Sequence, residues 1–146
     1  MAVSIFFITG GTGFLGRNLL KSMGEEKLNV FTPKRNEIFS FLSKQGNVDL
    51  FIHAAGKAHS TKSTKRESDE FFNVNLELTR RITKQIDEQG LKLNTFVFIS
   101  TVAVYGLEEG LDISEGAPLN GNSPYSQSKK WLRHIFRNGR KRVALI

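Results

Sequence analysis

The chain contains no cysteine among its 146 residues, which excludes disulfides, thiolate metal sites and cysteine nucleophiles. That composition suits a reducing compartment, and a cytoplasmic location is the expectation. No apolar run approaches the ~18 residues that a membrane span requires, so no membrane partner is expected. The opening Met1–Ile8 lacks a basic region ahead of its short apolar stretch and reads as a strand, not a signal peptide. Internal repeats and low-complexity tracts are absent as well. Lys57–Ser68 and Gly106–Ser123 read as loops within one domain spanning 1–146.

Acidic residues are missing from 129–142, where seven basic side chains gather, and the remaining 14 Lys and Arg balance the 14 Asp and Glu. The net charge of +7 therefore describes a neutral domain with a basic end. Lys129, Trp131, Leu132, Ile135 and Phe136 fit one amphipathic helix there, with solvated charges between them, so nucleic acid is not expected as a partner. His53 and His59 lack a third ligand, and both read as polar loop residues; no metal is expected.

What the chain does have is an alternation of short apolar runs and amphipathic stretches. Strands are predicted at Val3–Ile8, Leu28–Thr32, Val48–His53, Thr95–Ser100 and Arg142–Ile146. Helices are predicted at Phe14–Met23, with Leu15, Leu19 and Leu20 as its apolar positions, at Ile38–Lys44, at Ser68–Gln89 and at Pro124–Arg137. The stripe of the long helix is Phe72, Leu76, Thr79, Ile82 and Ile86, with Gly90 as its stop. Phe6, Phe7, Phe51, Phe96 and Phe98 fall in strands and read as core. Strands joined through helices imply an α/β fold, a Rossmann-like open parallel sheet with helices on both faces. Such sheets take ligands beyond the carboxyl ends of their strands.

Directly after the first strand comes Thr9-Gly10-Gly11-Thr12-Gly13-Phe14-Leu15-Gly16. Gly10 allows a tight turn, Gly13 lets backbone approach a pyrophosphate, and Gly16 permits close packing of helix on strand. The helix N-terminus offers amides and a partial positive charge to the anion, so a dinucleotide is the expected ligand. An acid usually ends the second strand to hold the adenine ribose, whereas here Thr32-Pro33-Lys34-Arg35 follows. Lys34 and Arg35 suit a 2′-phosphate and favour NADP over NAD; the alternative is a pair of solvated loop charges.

Tyr125 and Lys129 stand at i and i+4 at a helix start, 24 residues beyond Thr101. On one helix face, an ammonium near a phenol favours the phenolate and makes a Tyr a general base. Thr101, at the mouth of the sheet, could hydrogen-bond a substrate hydroxyl.

In this order, the glycine turn, His53-Ala54-Ala55-Gly56, Asn73-Val74-Asn75, Ser100-Thr101 and Tyr125-x-x-x-Lys129 resemble the short-chain dehydrogenase/reductase superfamily, in its extended branch of NAD(P)-dependent epimerases and dehydratases. Val104-Tyr105-Gly106 is similar to the nucleotide-sugar epimerases in particular. The resemblance implies that Gly10, Gly13, Phe14, Leu15, Gly16, Ala54, Ala55, Gly56 and Asn73 face the cofactor, with Lys34 and Arg35 at its ribose. It implies a catalytic trio of Thr101, Tyr125 and Lys129, the Lys also holding the nicotinamide ribose, with Ser100, Thr101 and Tyr125 facing a nucleotide sugar. Val102 and Ala103 stand where family dehydratases carry two acids, which disfavours dehydration. Relatives continue beyond the position of Ile146 into a substrate-binding region. The chain is therefore expected to be a truncation, or to be completed by another chain, and a fifth-strand edge left unpaired invites a homo-oligomer. The leading expectation is the cofactor-binding domain of an epimerase or ketoreductase; a non-catalytic NAD(P)-binding module and an inactive product are the rivals.

Overall fold

The computed structural model describes residues 4–58, 64–139 and 143–145. Five strands, β1 (Phe6–Thr9), β2 (Val30–Phe31), β3 (Asn47–His53), β4 (Lys92–Phe98) and β5 (Val143–Leu145), form one parallel sheet in the order β2-β1-β3-β4-β5. The chain leaves β1 in one direction to make β2, then crosses back to make β3, so the order reverses between β1 and β3. That reversal parts the connections at the carboxyl edge and opens a crevice there.

The helices are α1 (Phe14–Glu25), α2 (Ile38–Leu42), α3 (Lys65–Phe71), α4 (Leu78–Glu88) and α5 (Pro124–Gly139). A π-helical stretch, Phe72–Glu77, joins α3 to α4, and a 3₁₀ turn, Val102–Tyr105, follows β4. Strand alternation and register place Phe7, Phe51, Phe96 and Phe98 on one face of the sheet, where they are fully buried. Ring centroids 4.6 Å apart for Phe7–Phe51 and 4.9 Å for Phe51–Phe96 make an aromatic ladder across three strands. Ile38 and Leu42 from α2, Leu78, Ile82 and Ile86 from α4, and Leu132 from α5 close over it. No α1 side chain joins this cluster, and Gly16 is the only α1 residue that is buried. Three crossover helices thus serve one face and α1 the other, which leaves Phe6, Leu50 and Val97 half-buried.

The expected core holds for the inward Phe side chains, with two departures in the helices. Leu15 points outward at the start of α1. In the long helix, Phe71 and Asn75 are buried in place of Phe72 and Leu76, because the π stretch widens the turn and displaces the inward face by one residue. β2 shrinks to two residues, and β4 runs from Lys92 to Phe98, so Ser100 and Thr101 lie beyond the sheet. His59 and Arg140–Arg142 lie outside the described residues. No described helix is long and apolar enough to cross a membrane.

Glycine contacts at the switch point give a stability test within one helix. A Cβ on Gly16 would stand 2.1 Å from the Gly10 carbonyl oxygen, whereas one on Gly24 would meet nothing within 4 Å. Gly16→Ala is expected to cost at least about 2 kcal/mol in urea unfolding. Gly24→Ala should instead gain about 0.5–1 kcal/mol through helix propensity; equal effects would refute the close-packing account.

Candidate functional site

Gly10 sits at φ +78°, and a Cβ there would stand 2.6 Å from the Ala55 nitrogen. Only a glycine lets the β1 turn lie directly against the end of β3. The chain then folds back, Gly13 N–H donating to the Gly10 carbonyl at 3.0 Å. The helical ladder begins with Arg17 N–H to Gly13 at 3.0 Å, so the amides of Phe14, Leu15 and Gly16 precede it. No side chain caps this N-terminus and no acid lies in its first turn, which leaves the amides and the helix dipole for an anion. Phe14 itself is 81% exposed, so any contribution from Phe14 and Leu15 comes through backbone.

Around this turn opens a crevice of about 580 Å³. Gly10, Gly13, Lys34, Arg35, Ala54, Ala55 and Gly56, all anticipated from sequence, line it; Ile38, Val74 and Leu78 supply an apolar wall. No described lining residue is acidic. The arrangement fits a dinucleotide: backbone amides at the turn, apolar surface beside it and two cations at the far end.

Asn73 is not among them. It is exposed and lines a neighbouring depression, while Asn75 is buried with its amide fully engaged. Asn75 Oδ1 accepts from Lys57 N–H at 2.8 Å, and its Nδ2 donates to the Lys57 carbonyl at 3.0 Å and to Ser128 Oγ at 3.1 Å. Two asparagines two residues apart look alike in sequence, and the π-helical turn decides which faces inward.

His53 is likewise no loop residue. It ends β3, is 1% exposed, and anchors a chain of hydrogen bonds whose proton positions follow from its partners. Thr79 Oγ1 donates to the Asn75 carbonyl at 2.6 Å, so it must accept from His53 Nε2–H at 2.8 Å. Nδ1 is then the lone-pair nitrogen and accepts from Thr9 Oγ1 at 2.6 Å, while Thr9 accepts from Ala55 N–H at 3.3 Å. A neutral imidazole satisfies every partner. Burial, with repulsion from Lys129, lowers the His53 pKa to about 3.

Lys129 is buried on α5. Its ammonium donates to the Ile99 carbonyl at 2.9 Å, sits 4.7 Å from the Phe98 ring centroid, and lies where a Cβ on Gly56 would be 3.4 Å away. Loss of hydration lowers its pKa to about 8, so it remains mostly cationic at neutral pH. Thr101 caps the 3₁₀ turn, its Oγ1 accepting from Ala103 N–H at 3.2 Å, which leaves the hydroxyl proton available to donate. Among the described residues, Ser100 Oγ is buried with no hydrogen-bond partner. The Tyr125 ring packs beside Phe71 with centroids 5.8 Å apart, and its backbone carbonyl accepts from Ser128 Oγ at 2.7 Å. Among the described residues, no direct hydrogen bond joins the side chains of Thr101, Tyr125 and Lys129.

Farther along α5 the expected solvated pattern changes. Trp131 is 57% exposed and Arg133 is buried, its guanidinium donating to Tyr105 Oη at 3.2 Å and lying over that ring. The aromatic ring and hydroxyl of Tyr105 shelter this cation, which ties α5 to the turn after β4.

The strand order, with its switch point beneath a glycine turn, defines a Rossmann-like domain of the doubly wound α/β class. Residues 6–145 match the NAD dependent epimerase/dehydratase family, and the chain belongs to that family. It is 28% identical over 138 residues to a GDP-6-deoxy-D-talose 4-dehydrogenase from Aggregatibacter actinomycetemcomitans, covering 88% of this chain and 46% of the relative. A UDP-glucose 4-epimerase from Streptococcus mutans is 25% identical over 154 residues, covering 89% and 45% respectively. The chain thus spans less than half the length of these relatives. Among solved structures, a dTDP-4-dehydrorhamnose reductase from Bacillus anthracis in complex with NADP superposes with a TM-score of 0.80 at 16% identity, covering 99% of this chain and 53% of that one. A UDP-glucuronic acid 4-epimerase from Bacillus cereus in complex with UDP-glucuronic acid and NAD gives 0.79 at 18% identity, covering 97% and 55%.

The buried imidazole predicts an acid-sensitive fold. Between the ordinary value of 6.5 and the folded value of about 3, only the unfolded chain binds the proton, so stability from His53 is complete above pH 6.5 and drains away as pH falls toward 3. Urea unfolding should show about 2 kcal/mol less stability from this group at pH 5 than at pH 7.5. His53→Gln should flatten that slope; an unchanged slope would refute the neutral, buried imidazole.

Proposed function

We propose that the chain is the NAD(P)-binding domain of a nucleotide-sugar epimerase or ketoreductase. The observation that carries this reading is the crevice at the β1/β3 switch point, lined together by the glycine turn, the Ala54–Gly56 strand end and Lys34 and Arg35. The amides that open α1 would hold the pyrophosphate, and Ile38, Val74 and Leu78 would pack against the adenosine end. Lys34 and Arg35, with no acid among the described lining residues, favour NADP over NAD.

When bound, the nicotinamide supplies the hydride exchange. Tyr125 takes up or returns the hydroxyl proton of the sugar. Lys129, held by the Ile99 carbonyl one helical turn beyond Tyr125, contributes a fixed positive charge on the same helix. Thr101 donates its free hydroxyl proton to the sugar oxygen, and the unpartnered Ser100 Oγ is available beside it. Epimerase and reductase chemistry would draw on the same residue, since Tyr125 can remove the hydroxyl proton as a ketone forms and give it back as the ketone is reduced. Val102 and Ala103 carry no transferable proton, so elimination of water is not proposed. The two curated relatives are both named for chemistry at position 4 of a nucleotide sugar, which supports that substrate class.

Oxidation of NADPH by a nucleotide-4-ketosugar tests the relay. Tyr125→Phe should lower the rate at least ~100-fold while leaving the NADPH Kd within about threefold. Equal rates would remove Tyr125 from the chemistry, and no oxidation by the unmodified protein would overturn the enzyme reading.

A further inference from the structure

Beside the crevice, α2 and α4 are tied by Gln85 Nε2 donating to the Phe39 carbonyl at 2.8 Å. Next to this tie lies a second depression of about 590 Å³ that shares Arg35 and Leu78 with the crevice. Arg81 reaches it from α4, its guanidinium 4.5 Å over the Phe39 ring, and Asn36 and Asn73 add amides. The acids nearby are already engaged. Arg80 pairs with Glu77 at 3.2 Å, Lys84 with Glu88 at 3.5 Å, and Glu37 accepts from Lys34 N–H at 3.0 Å. Among the described residues, neither Arg35 nor Arg81 forms an ion pair. Glu77, which also lines the depression, has its charge offset by Arg80.

Two guanidiniums lining one depression, which adjoins the crevice through Arg35 and Leu78, suit a phosphate dianion better than any neutral group. A guanidinium can give two parallel hydrogen bonds to such an anion. The Phe39 ring restrains Arg81 in advance, so less side-chain freedom is lost on binding. We propose that Arg81 acts with Arg35 as a receptor for the 2′-phosphate of the adenosine ribose, and so sets the choice of NADP over NAD. This rests on the reading of the crevice as a dinucleotide site and assigns its specificity to a helix far along the chain from the strand end where such cations are usually sought. It also gives Asn73 a place beside the same phosphate.

Fluorescence titration with NADPH and, separately, NADH tests this on the protein and two variants, Arg81→Met and Lys84→Met. Both replaced side chains are exposed, and thermal unfolding checks that each variant folds. Arg81→Met should weaken NADPH at least ~10-fold and leave NADH within about twofold, while Lys84→Met changes neither ligand by more than that. Unchanged selectivity in Arg81→Met, in a protein that prefers NADPH, would overturn the role of Arg81 alone. Equal affinity of the unmodified protein for both nucleotides would overturn the 2′-phosphate site and leave the dinucleotide crevice standing. Binding of neither would overturn the crevice reading itself.

Discussion

The turn after β1 lies against the end of β3 at a distance that excludes side chains, and the crevice is shaped by that approach. Gly10 meets the Ala55 backbone and Gly16 meets the Gly10 carbonyl, so the start of α1 is driven down onto the sheet edge. Close approach needs a fastening as well as room. Thr9 supplies it, donating to His53 Nδ1 and accepting from Ala55 N–H, so one hydroxyl joins β1 to β3 at their carboxyl ends. Such a bond is worth more in a buried site than at the surface, because neither partner has water to return to.

From His53 the same chain of hydrogen bonds runs through Thr79 and Asn75 to Ser128 and the carbonyl of Tyr125. The glycine turn and the helix bearing Tyr125 and Lys129 are therefore parts of one polar framework set in an apolar core. Each buried hydroxyl, amide and imidazole in it has a partner, which is the condition under which such a framework gives definition to a structure. Arg133 on Tyr105 adds a second tie between α5 and the turn that carries Thr101.

Much of this was legible in the sequence because its signals are local. A glycine spacing between a strand and a helix, Pro124 at a helix start and inward-facing Phe residues report directly on turn, cap and face. The turn at Gly10 and Gly13 followed from such signals, whereas Ala54, Ala55 and Gly56 were expected there through the family resemblance. What escaped depends on contacts far apart in the chain. Asn73 and Asn75 are distinguished by the π-helical turn, which leaves no mark in residue type. His53 and Arg133 have polar side chains, and only the partners waiting for them, Thr79 and Thr9 in one case and Tyr105 in the other, make burial favourable. Arg81 was invisible for the same reason: it comes to line one depression with Arg35 only when α2 and α4 pack together.

The central claim is that the amides at the start of α1 hold the pyrophosphate of a dinucleotide. Amide exchange followed by NMR with and without saturating NADPH tests it residue by residue. The account predicts slowed exchange at Phe14, Leu15 and Gly16, together with Ala55 and Gly56. Binding that leaves these amides unchanged, or that protects a different set, would contradict it.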